Sequence, residues 1–120
     1  MKLLRSSLAL VILVALPAVS GCTHSHVIQV NVTNASSENV STVMIDYPEA
    51  TFGINSLAPG KTFRYKIKPT ATGAMKIEFL NARGIDRVSA GPVVHKNDEG
   101  SIEIKLTQDG ATSELRLAGK

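Results

Sequence analysis

From residue 28 onward, apolar and polar side chains alternate with a period of two. Ile28, Val30 and Val32 are interleaved with Gln29, Asn31 and Thr33. The same rhythm returns at 42–47, 63–68, 75–80 and 102–106, and in short form at 115–117, where Leu115 and Leu117 flank Arg116. Successive side chains of a strand point to opposite faces, so this alternation marks half-buried strands. A weaker segment, 87–95, contains Gly91 and Pro92. Proline has no N–H for a sheet ladder, which makes this segment an edge strand or a bulge. The expected total is about seven strands, and no stretch shows helical periodicity.

The gaps between these runs carry turn chemistry. Ala58-Pro59-Gly60-Lys61 places proline and glycine at the second and third positions of a type II turn. Residues 81–84 and 97–100 each end on glycine, and Asp109-Gly110 is a hairpin signal. Residues 34–39 form a polar loop, and 47–57 reads as the longest connection. Each strand offers one apolar face, and two antiparallel sheets packed face to face cover all of them in about 100 residues. The predicted fold is an all-β, immunoglobulin-like or fibronectin-type-III-like sandwich over 26–120, with a small closed barrel as the alternative. Its largest core members are expected to be Tyr47, Phe63, Tyr65 and Phe79.

The first 21 residues follow a different pattern. Lys2 and Arg5 precede an unbroken apolar run of nine residues at 8–16, after which come Pro17 and small residues. This is the order of a secretory signal. The run falls short of the about 20 residues a spanning helix needs. It also has no polar face for a small soluble domain to show to water.

Val19-Ser20-Gly21-Cys22 resembles the lipobox of bacterial lipoproteins. That resemblance implies cleavage between Gly21 and Cys22, a diacylglycerol on the Cys22 thiol and acylation of the new amino terminus. Thr23 stands where an aspartate would favour retention in the inner membrane, so the resemblance implies an outer-membrane protein facing the periplasm. The mature body resembles those of many small bacterial lipoproteins. Cys22 is the chain's one cysteine, so the expected domain has no internal disulfide. One acyl chain holds a protein marginally and two or more hold it stably. Residues 22–25 would then be the whole tether, spanning at most about 14 Å.

Composition narrows the chemistry. Loss of Lys2 and Arg5 with the signal lowers the formal charge from +3 to +1. This is no basis for nucleic-acid binding, which calls for a clustered basic footprint. Neither a Gly-x-Ser-x-Gly elbow, a phosphate-binding glycine loop nor a Cys/His zinc motif is present. Three glycosylation sequons, at Asn31, Asn34 and Asn39, read as chance matches in an Asn/Ser-rich stretch. The expectation is a non-enzymatic module without a cofactor.

Three sets of residues remain as candidates. Phe52, Ile54 and Leu57, in the long connection, would be an apolar contact for a partner protein, or else a plug for the end of the core. Arg64, Lys66 and Lys68, with Lys61 beside them, would meet anionic headgroups or glycan, partly neutralised by Glu78 and Glu103 across the sheet. His24 and His26 point to one side of an extended segment and would chelate a divalent metal, with His95 as a third ligand. The favoured reading is a lipid-anchored envelope domain that binds a protein or envelope component. The alternative is a metal-binding lipoprotein using His24 and His26.

Overall fold

The computed structural model describes residues 26–119. Signal, lipobox and tether, including Gly21, Cys22 and His24, lie outside the described residues. Eight strands follow one another: β1 (Ile28–Asn34), β2 (Val40–Tyr47), β3 (Ala50–Leu57), β4 (Thr62–Ile67), β5 (Gly73–Leu80), β6 (Asp86–Val94), β7 (Gly100–Leu106) and β8 (Ala111–Leu117). They form a two-sheet β-sandwich. Sheet A has the order β4-β1-β7-β8 and sheet B the order β3-β2-β5-β6. All neighbours are antiparallel except β1 and β7, which run parallel from Ile28 opposite Gly100 to Asn34 opposite Leu106.

The two-residue period does what it promised. Ile28, Val30 and Val32 face inward against Ile102, Ile104 and Leu106 of β7, and Met75, Ile77 and Phe79 line the inner face of sheet B. Each such side chain contributes about 1.5–3 kcal/mol when fully buried. Phe79 is wholly buried, and Tyr47 and Phe63 pack partly buried against the core. Tyr65 sits at the rim, 39% exposed.

The eighth strand lies where a long connection was expected. Tyr47 pairs with Ala50, so Pro48 and Glu49 alone turn the chain into β3. Glu49 adopts φ 72, a conformation usually left to glycine or asparagine, which is why the sequence shows no hairpin signal there. Phe52, Ile54 and Leu57 then point inward and are buried, with Phe52 only 6% exposed. Their expected role as an apolar partner contact is overturned, because strand pairing with β2 turns all three into the core.

Aromatic rings close this side of the sandwich. Phe52 of β3 stacks on Tyr65 of β4 at 4.2 Å between centroids, with Phe63 and Tyr47 each 6.3 Å from Phe52. Burial, and then the proximity of Tyr65, pushes the Tyr47 hydroxyl above the usual tyrosine range. The opposite side closes by hydrogen bonds from β6 to the β7–β8 turn and the start of β8. Ala111 N–H donates to Ser89 Oγ (2.9 Å), and Arg87 Nε–H donates to the Gln108 carbonyl (3.1 Å).

Segment 87–95 is both of the things its proline suggested. β6 is an edge strand of sheet B, and its register with β5 slips between Ala74 and Lys76, so that Gly91 and Pro92 together oppose Met75. A side chain at 91 would meet Met75 Cβ at 2.9 Å.

Candidate functional site

Strand parity sorts the remaining candidates by face. On sheet A, Arg64 and Lys66 occupy outward positions of β4, opposite Asn31 and Gln29 of β1. Lys68 follows immediately after the strand and is exposed. Continuing outward across β7 and β8, the rows run Lys66, Gln29, Ser101, Arg116 and then Arg64, Asn31, Glu103, Glu114. Glu103 is on this face and accepts a hydrogen bond from Asn31 Nδ2. Glu78 is not: it belongs to β5 of sheet B, so it neutralises none of the basic row, contrary to expectation.

His26 and His95 sit at the end where the chain enters. His26 Nδ1 lies 3.6 Å from Glu99 Oε2, and His95 Nδ1 lies 3.6 Å from Asp98 Oδ2. Each ring therefore faces a different carboxylate. Among the described residues, no three His, Cys, Asp or Glu side chains gather as a metal site.

Sequence reasoning passed over the outward face of sheet B. There Thr42, Met44, Glu78, Leu80 and Asp86 line a shallow depression. The rows that build it are set by register: Met44 beside Glu78 beside Val88, and Leu80 beside Asp86. Met44 is 39% and Val88 59% exposed, and Ile85, just before β6, is 42% exposed. The β2–β5 ladder slips between Ser41 and Met44, and Thr42 within that slip has φ 50. A β-branched residue seldom adopts a positive φ. The bulge lets Val40 and Val43 both turn inward, and it keeps Thr42 and Met44 on the outside.

Two carboxylates border these apolar groups. Glu78 and Asp86 are diagonal neighbours on one face, within reach of each other. Hydrogen bonding with Asp86, reinforced by its like charge, pushes the Glu78 carboxyl above the usual carboxylate range; Lys76, 4.0 Å away, pulls the other way. Lys76 also approaches Asp46 at 3.4 Å. The face thus joins exposed apolar side chains to a surplus of acid. The signal in the sequence was an apolar Met44 and Val88 at outward positions of alternating strands, where polar residues are the rule.

No family model matches the sequence, and no curated protein matches it. In fold, the chain is similar to a protein from Eubacterium rectale whose structure was solved by NMR. The TM-score is 0.56 at 10% identity, over 86% of this chain and 98% of the other. At that identity the likeness extends to the β-sandwich architecture alone.

Proposed function

We propose that the protein is a lipid-anchored, non-catalytic module of the bacterial cell envelope that holds a second protein on the outward face of sheet B. Its address rests on the lipobox resemblance of Val19-Ser20-Gly21-Cys22, which implies acylation at Cys22 and an outer-membrane location facing the periplasm. The observation that carries the binding role is the apolar group of Met44, Leu80 and Val88 around the Glu78–Asp86 pair. Scattered apolar residues on a surface are ordinary, whereas neighbouring ones rimmed by polar groups mark contact surfaces. Charge complementarity defines the partner: a protein surface bringing apolar side chains together with a lysine or arginine. Such a cation would offset the like charge that Asp86 sets beside Glu78.

A photo-crosslinking side chain at Ala90, exposed beside Val88, tests this in whole cells. One discrete crosslinked partner is expected. Met44→Lys and Val88→Lys should each weaken it, at a cost of about 1 kcal/mol of binding or more. Thr112→Lys, on the outward face of sheet A, should leave it intact. Identical crosslinks in all three variants would sink the reading.

A further inference from the structure

We propose that the outward face of sheet A rests on an anionic phospholipid surface, which leaves the outward face of sheet B turned away from the leaflet. The inference relies on the lipid-anchored reading for its tether and adds an orientation to it.

The two faces of the sandwich carry opposite surpluses of charge. Outward on sheet A stand Arg64, Lys66, Lys105 and Arg116 against Glu103 and Glu114, with Lys68 just past β4. Outward on sheet B stand Asp46, Glu78 and Asp86 against Lys76. The carboxylates of sheet A are engaged within the face: Glu114 pairs with Arg116 at 3.2 Å, and Glu103 accepts from Asn31. Arg64 and Lys66 lie on edge strand β4, Lys105 on β7 and Arg116 on edge strand β8. The cations thus reach across the four strands, about 14 Å at the usual strand spacing, with the surplus over Glu103 and Glu114 on β4 and just past it. Guanidinium and ammonium groups donate to phosphate oxygens, so anionic headgroups supply the matching acceptors.

The point of attachment agrees. β1 belongs to sheet A, and it is the strand that the tether enters. Four tether residues, spanning at most about 14 Å, keep the entry end of the sheet within roughly one or two Debye lengths of the headgroups. The acidic face of sheet B is repelled by the same surface.

The test uses the mature protein purified from membranes and reconstituted into vesicles. Thr112→Cys and Ala90→Cys place a fluorophore on the outward faces of sheets A and B respectively, and nitroxide headgroups act as quenchers. Stronger quenching at 112 than at 90 is expected in mixed phosphatidylcholine–phosphatidylglycerol vesicles, with loss of the contrast in phosphatidylcholine alone. Each neutralisation in the series Arg64→Gln, Lys66→Gln and Lys105→Gln should lower the ratio of face-down to other orientations about fivefold, and Lys76→Gln should not lower it. Equal quenching at the two positions, or a contrast indifferent to phosphatidylglycerol, would overturn the orientation. Mass spectrometry of the same samples separates the two ideas. Acylated Cys22 without the contrast overturns the orientation and leaves the anchor. An unmodified Cys22 with the contrast overturns the anchor and leaves the orientation.

Discussion

Asn34 is wholly buried, and every polar atom of its side chain is used. Its Nδ2 donates to the carbonyls of Glu38 (2.7 Å) and Leu57 (2.8 Å), and its Oδ1 accepts from Ser36 N–H and Ser36 Oγ. One residue thereby ties the β1–β2 loop to the end of β3. The geometry also explains the sequon at Asn34: Asn34 and Ser36 form an Asx turn, and the amide is spent on the fold. Asn81 does the same for the β5–β6 turn, with Oδ1 accepting from Arg83 and Ile85 N–H and Nδ2 donating to the Gln108 carbonyl. Asn34→Ala should lower unfolding stability by about 2–3 kcal/mol, since it strands a buried carbonyl; chemical denaturation measures it. Glu78 offers a pH test. Its carboxyl is pushed up in the folded protein, so its contribution is complete below the ordinary carboxylate range and is lost as pH rises through the raised value. Glu78→Gln should therefore melt higher than the wild type at neutral pH, and the gap should close in acid. None of this is visible in the sequence, where an asparagine or glutamate in a polar stretch looks solvated and burial depends on distant strands.

Strands are where the sequence was most legible, and β3 shows the limit. Alternation at Phe52, Ile54 and their polar neighbours is present. It is diluted by Gly53, Asn55 and Ser56, all poor strand formers, and it follows a turn with glutamate at the positive-φ position. Tertiary burial overrides those local preferences. Phe52→Ala should cost about 3 kcal/mol or more, because it removes a buried ring together with its stack on Tyr65. If Phe52 were instead a surface anchor, the melting curve would hardly move. The turn at 58–61 and the bulge in β6 could be read directly, since proline and glycine act through their own backbones. Lys61 N–H bonds the Ala58 carbonyl at 3.1 Å, and Gly60 has φ 76. Gly100, at the start of β7, has φ 149, and a Cβ there would fall 2.0 Å from the Arg116 carbonyl oxygen. Gly100→Ala should destabilise by about 1–3 kcal/mol from backbone strain alone, with the clash against β8 adding to it.

At the scale of the molecule, periodicity announced a sandwich but not how its strands divide between sheets. That division rests on pairings between residues far apart in the chain. The clearest is β1 against β7, over 70 residues away and parallel, which no local signal records. The candidate surface was hidden for the same reason. Met44, Glu78 and Val88 become one row only when β2, β5 and β6 are laid side by side. Stability of the whole body should be indifferent to redox conditions. Cys22 is the one cysteine and precedes the sandwich, so melts with and without a reductant should superimpose.

The central place of β1 has a mechanical consequence. It is held by β4 on one side, through six residue pairs, and by β7 on the other, through seven. A pull on the amino terminus is directed along that strand and loads both ladders in shear together, with no edge from which to peel them one bond at a time. The segment that bears the tension is therefore paired on both sides, and a load applied at the amino terminus is spread across two flanking strands before any of the core is opened.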